Sequence, residues 1–437
     1  MQQAGESTER LGLAEVVAIG VGGMVGGGIF AVLGLAMDVA GHAVVLAFVF
    51  GGVIALLTGY SYAHLGLAFR DDGGSFTYIE HAFRSPFIAG VAGWLLVAGY
   101  VGTMALYGTA FGAYAAALIA QSAPGAIAAD VLASGVLLAF LGINLTGAKL
   151  SGRLELILVL VKVSILLAFV VVGLGTMQAG HLVPVFDKMP LAPLAAAALI
   201  FVAYEGFELI PNAIEEMKDP TGTLKRGLVV AILVTAALYV LVSFVALGNL
   251  TPEAIRRDQE YALAVAAQPS LGRLGFGLIG VAALLSTASA INATLFGSSR
   301  LAMVMAREHV LPRIFSLRER TRPVPWVALV TLTAATVAFI LFADLTVISA
   351  FASATFLLIF FGVNASAARL HTSIELNPLI PLCGTILCGV TFLVVLGHTW
   401  YTSPRSLAWI AGTYVAAFAS ELVLIFLRGE RKVRSSR

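Results

Sequence analysis

Apolar runs of about 20 residues follow one another from end to end of the chain, parted by short polar segments. Each is long enough to cross a hydrocarbon core of about 30 Å as a helix. The pattern predicts twelve spans, at residues 13–35, 44–69, 86–120, 129–148, 154–177, 190–213, 226–248, 274–305, 325–343, 345–369, 378–397 and 406–427. Alternation is weak and ten-residue strand signals are lacking. That argues against a transmembrane barrel and leaves helices to satisfy the backbone in lipid. The expected class is an all-α polytopic membrane protein, built as one membrane domain because no long linker or low-complexity block interrupts the spans.

Two spans carry residues that make poor helix. Span one holds GVGGMVGGGIF, residues 20–30, with six glycines, and an interior Gly costs about 1 kcal/mol relative to Ala. Span six holds FVAYEGFELIPN, Phe201 to Asn212, with Gly206, Pro211 and two acids in an otherwise apolar run. Interrupted spans at corresponding positions of two halves point to a transporter binding site. Five spans begin at each interruption, and an odd number of crossings gives the halves opposite topology. The expected organisation is a five-plus-five inverted repeat with helices one and six broken. Residues 1–180 form the first repeat, 185–370 the second, and 371–437 hold spans eleven and twelve and the tail.

An unwound segment at the bilayer midplane exposes backbone groups that lipid does not tolerate but a polar ligand satisfies. The half-helix after the break points its positive N-terminal end at the ligand and suits a carboxylate. Carbonyls left by the half-helix before the break suit an ammonium group. Together they complement a zwitterionic α-amino acid. Helix packing is the other reading of the glycines, since small residues at four-residue spacing let backbones approach closely. Gly22 with Gly26, and Gly23 with Gly27, fit it. The run Gly26, Gly27, Gly28 covers almost a full turn, more than one packing face needs. A phosphate-cradling loop is excluded, because no Gly-Lys-Ser/Thr follows and no strand precedes.

Composition sharpens this picture. Of 437 residues, 59% are hydrophobic and 11% charged, against about 25% charged in soluble domains. The N-terminus shows no basic region, apolar run and cleavage site in the order of a removable signal. Placing both termini in the cytoplasm assigns 20 of the 26 Lys and Arg to cytoplasmic segments, five to external ones and one, Lys162, to a span interior. The positive-inside rule selects that topology in a cell membrane. A net charge of +2 gives no reason to expect a nucleic-acid partner. Cys383 and Cys388, five apart in span eleven, face each other poorly for a disulfide and are too few for a metal site. The seven histidines are dispersed without a His-Glu-x-x-His pattern, so neither an intramembrane enzyme nor a cofactor is expected. Spans eleven and twelve either pack on the core of a monomer or build a homodimer contact.

Four segments in order resemble the amino acid–polyamine–organocation transporter superfamily. They are GVGGMVGGGIF, LLTGYSYAHLGLAFRDDGGSFTYIEHAF from Leu56, FVAYEGFELIPNAIEEMKDP from Phe201, and INATLFGSSRLAMVMAREHVLP from Ile291. The resemblance covers about residues 11–370 and implies a leucine-transporter-like fold. The chain looks most like prokaryotic proton-coupled amino acid transporters with a lysine in span five, here Lys162 of LVLVKVSILLAF. Lys162 lies eight residues past Leu154, about 12 Å into the core. An amine at that depth faces a polar cavity or partner, and burial favours its neutral form. Snorkelling to the cytoplasmic surface is the alternative.

The resemblance implies that the Lys162 ammonium stands where sodium-coupled relatives hold a sodium ion. It would meet the Gly22 and Val25 carbonyls and the Ser286 and Ser289 hydroxyls. The substrate carboxylate is expected on the N–H groups of Gly27 and Gly28, with Gly26 allowing the turn. Its ammonium is expected on the carbonyls of Met24, Val202 and Glu205. Phe201 is implied as an aromatic lid and Phe207 as a wall of the side-chain pocket; both also read as core aromatics. Glu208 is implied in proton coupling or gating. Glu205 departs from an ordinarily apolar position. It selects a cationic side chain, pairs with a base or stays protonated as a donor, and these remain open. Glu205 and Glu208 would neighbour each other if the helix continued through them. The implied activity is secondary active transport of L-amino acids, either symport with protons by alternating access or exchange of amino acids or polyamines.

Overall fold

The computed structural model describes residues 10–70, 74–120, 125–147, 152–308, 310–317 and 324–435, and it is helical throughout its long elements. The first predicted span is two helices, α1 (Leu13–Met24) and α2 (Gly28–Ala40), and α3 (Val44–Ala68) follows a turn at Gly41. A short α4 (Ser75–Phe83) leads into α5 (Pro86–Ala120), α6 (Ala126–Leu145) and α7 (Gly152–Gly173). The sixth span is α8 (Ala192–Leu199) followed by tighter 3₁₀ turns at Phe201–Tyr204 and Phe207–Glu216, with a 58° bend. Then come α9 (Pro220–Asn249), short α10 (Pro252–Arg257) and α11 (Ala262–Ala266), and α12 (Gln268–Arg307), which leaves helical geometry at Gly272. The chain ends with α13 (Trp326–Phe342), α14 (Leu345–Arg369), α15 (Leu379–Thr402) and α16 (Pro404–Ser435).

Among the described residues, nine helical segments are long and apolar enough to cross a membrane, ten with the bent sixth span. One of these segments runs through α2 and α3, Gly28–Ala68, while α13 at 17 residues falls below that length. The helices differ in what they face. The apolar stretch of α14 is 78% buried within the protein, whereas those of α6 and α16 are each 17% buried. Apolar side chains turned outward cost nothing in lipid, since tails are as apolar as Leu. Hence α14 lies inside the bundle, while α6 and α16 lie on its rim.

What positions the site is the packing of the two broken spans on one another. Helix α1 lies against α7, α9 and the Phe207–Glu216 turn, and α2 lies against α8. At the other end of α1, Leu11 pairs with the strand-like stretch after the sixth span, its N–H donating to Glu216 O at 2.7 Å while its carbonyl accepts from Lys218 N at 3.0 Å. Both cysteines are free thiols, Cys388 buried and Cys383 exposed.

Candidate functional site

The two breaks meet backbone to backbone. Gly206 has φ +125°, a region Gly enters without the steric cost other residues meet. A Cβ there would stand 2.5 Å from the carbonyl carbon of Gly23 and 2.7 Å from Met24 N. A Cβ on Gly28 would stand 2.7 Å from Ala203 O. Gly26 instead abuts α12, where its Cβ would come 2.5 Å from Ala290 Cβ. The close-packing and unwound-helix readings of the glycines therefore apply to different residues of one run.

From Met24 to Gly28 the main chain loses the regular helical ladder, and carbonyls there and in the last turn of α1 are reached by donors from distant helices. Gly22 O accepts from Lys162 Nζ at 3.0 Å, and Val25 O accepts from Ser286 Oγ. Met24 O accepts from Tyr239 OH at 2.6 Å, a hydroxyl that also reaches Ala203 O at 2.9 Å. Lys162 is 1% exposed, so its amine is turned into the protein. Ser289, half-buried, donates back along its own helix to Ser286 O at 2.9 Å. Of the expected coupling group, the structure brings together Lys162 with Gly22 and Ser286 with Val25, and turns Ser289 to its own helix.

The second break is organised differently. Glu205 is extended, at φ −64° and ψ 142°, so the helix does not continue and the acids are not neighbours on a helical face. Glu208 folds back to accept the Gly206 N–H at Oε2, 2.6 Å, while Glu205 Oε2 accepts from Tyr107 OH at 3.2 Å. Both acids are buried, and Glu208 Oε1 has no hydrogen-bond partner among the described residues. Ser353 of α14 spans the break, accepting from Val202 N at 3.0 Å and donating to Leu199 O at 2.8 Å. Val202 O accepts from Glu205 N at 3.0 Å.

Phe201 and Phe207 are fully buried in an aromatic cluster with Tyr62 and Phe360. The Phe207 and Phe360 rings lie 5.2 Å apart, and Phe201 meets Phe360 edge-on at 5.8 Å. Gly27 and Gly28, which open α2 with N–H groups that have no intrahelical acceptor, lie under the Tyr107 ring and the Tyr239 hydroxyl respectively.

Tyr107, Tyr239 and Ser353 were thus missed from the sequence. A signal existed for each, because a hydroxyl deep in an apolar span requires a partner when buried. Which partner it finds is not written in its own span.

A match along most of the chain decides the family. The family model described as amino acid permease matches residues 11–420. This chain belongs to the amino acid permease family. The inner membrane transport protein YbaT of Escherichia coli is 31% identical to this permease over 428 residues, 97% of this chain and 98% of that protein. The vacuolar cationic amino acid transporter 8 of Arabidopsis thaliana is 29% identical over 420 residues, 91% of this chain and 70% of that protein. A variant of the Eremococcus coleocola manganese transporter shares the fold, with a TM-score of 0.58 at 14% identity over 98% of this chain and 95% of that one. The permease is accordingly a multi-pass membrane transporter of the amino acid–polyamine–organocation superfamily.

Proposed function

We propose that the permease is a secondary active carrier that imports L-amino acids together with protons, by alternating access through twelve crossings. In this reading residues 1–180 and 185–370 are inverted repeats, 371–437 are peripheral, and both termini are cytoplasmic. The observation that carries it is the Lys162 ammonium hydrogen-bonded to Gly22 O at 3.0 Å, a buried cationic donor that ties α7 to the break in α1. A hydrogen bond to a charged group contributes about 1.5–3 kcal/mol. Losing the proton removes that charge and weakens the tie, so proton binding and the position of α1 become linked. Ser286 holds Val25 O beside it, with Ser289 one turn on.

In this reading the amino acid carboxylate takes the N–H groups of Gly27 and Gly28, with Gly26 permitting the turn. The α-ammonium takes the carbonyls of Met24, Val202 and Glu205. Phe201 closes over the substrate, Phe207 lines its side-chain pocket, and Glu208 contributes to coupling. Proximity of the two breaks supports this assignment, since one small zwitterion reaches both. For it to bind, Tyr107 and Tyr239 withdraw from Gly27 and Gly28.

The test is uptake of labelled amino acids into proteoliposomes with an acid-outside gradient, no sodium and an empty lumen. Wild type accumulates substrate, and Lys162→Ala loses accumulation while keeping downhill flux. Uptake that requires a preloaded lumen would make the permease an exchanger and Lys162 a fixed structural cation.

A further inference from the structure

Seven residues before Lys162 on the same helix stands a second ionisable group. Residues seven apart lie on one helical face, two turns separated. Here that face is pressed against one residue of α1. A Cβ on Gly22 would stand 3.0 Å from Val159 Cγ2 and 3.5 Å from Glu155 Oε1, while the Gly22 carbonyl holds the Lys162 ammonium at 3.0 Å. The carboxyl and the amine thus both lie beside the same glycine. Glu155 is half-buried, in the first turn of α7, at the end the basic residues assign to the cytoplasm, whereas Lys162 is 1% exposed.

The elements packed on α7 carry other charges. Glu15 of α1 is turned to the Gly12 N–H at 2.9 Å. Lys225 and Arg226 open α9, and α12 carries Arg273, Arg300 and Arg307. Glu155 is the acid of this set that shares the Gly22 contact with Lys162.

We infer that Glu155 is the proton acceptor through which Lys162 discharges to the cytoplasm. The step moves one proton: an Nζ–H bond of the ammonium breaks, its electron pair stays on nitrogen, and an O–H bond forms on the Glu155 carboxylate, directly or through one bridging water. The Glu155 carboxyl then passes the proton to cytoplasmic water and returns to carboxylate. A side chain at Gly22 would press on Val159, whose Cγ2 would stand 3.0 Å from its Cβ, on the same face of α7. The inference rests on the proton-coupled reading above, and it adds the exit side of the path.

The experiment compares wild type, Glu155→Gln and Glu155→Asp in the same proteoliposomes, measuring gradient-driven uptake across internal pH and, separately, counterflow into substrate-loaded vesicles. Counterflow returns the carrier with substrate and proton still bound, so it does not need discharge. We expect Glu155→Gln to cut gradient-driven uptake at least tenfold at every internal pH, with counterflow within twofold of wild type and Glu155→Asp partly restored. Retained counterflow also shows that the variant is folded. An unchanged uptake rate in Glu155→Gln, with wild type still driven by protons, would overturn the relay and leave the coupled reading standing. A shifted internal-pH optimum at unchanged maximal rate would also overturn it, by reducing Glu155 to an electrostatic neighbour. Absence of proton-driven uptake in wild type would remove both.

Discussion

The two interruptions of the bundle differ in what their own sequence supplies. In the first, the stretch Met24–Gly28 has no polar side chain, and the carbonyls of Gly22, Met24 and Val25 at the end of α1 and just beyond it take donors from α7, α9 and α12: Lys162, Tyr239 and Ser286. In the second, Glu208 is supplied from within and folds onto the Gly206 N–H, while Ser349 and Ser353 of α14, Tyr239 of α9 and Tyr107 of α5 reach Leu199, Val202, Ala203 and Glu205 from other helices. Both breaks are thus tethered to three other helices, and only the second adds a side-chain cap from its own chain. A break tethered through side chains of other helices can be released by changing one of those side chains.

The most damaging way to disturb the comparison is at the point where the breaks touch. Gly206→Ala places a Cβ 2.5 Å from the Gly23 carbonyl carbon at φ +125°, with backbone on both sides and nothing able to give way. We expect a loss of about 3 kcal/mol or more, seen as a large fall in the unfolding temperature in detergent and in the yield of folded protein. Gly27→Ala meets side-chain atoms instead of backbone, but they belong to the buried Tyr107 ring, with Cδ1 2.0 Å away, so a loss of similar size is expected.

A smaller effect separates the tethering hydroxyl from its neighbour. Ser286→Ala removes the donor to Val25 O and should destabilise by about 1–3 kcal/mol, the cost of a buried group left unpaired. Ser289→Ala removes only a bond to a carbonyl of its own helix, and a change below about 0.5 kcal/mol is expected. Equal melting temperatures for the two variants would show that Ser286 does not hold the first break.

The smallest effect, opposite in sign, comes from a glycine outside the breaks. Gly135 sits inside α6 with open space where a Cβ would be. Gly135→Ala should therefore stabilise by about 0.5–1 kcal/mol, through helix propensity alone, with transport unchanged. The contrast with Gly206 turns on surroundings, because both variants make the same chemical change.

Much of the architecture was legible in the chain. Apolar run length located the spans, since lipid demands an uninterrupted internal hydrogen-bond ladder of fixed length; predicted span 86–120 coincides with α5. The glycine run and Gly206 marked the breaks because helix geometry penalises them locally. Lys162 stood out because an amine in an apolar run requires a partner. Period and composition fixed less well the inside of the sixth span, where tight 3₁₀ turns replace the helix from Phe201 onward.

Tertiary structure alone decided the partners. That Tyr239 bridges Met24 O and Ala203 O, that Tyr107 donates to Glu205, and that Glu155 and Lys162 both lie beside Gly22 all depend on how helices far apart in sequence pack. The sequence determined where the backbone would be left unsatisfied, because hydrogen-bond geometry within a helix is local. Packing determined which side chains satisfy it, because a donor's reach is set by the distance between helices that residue spacing does not encode.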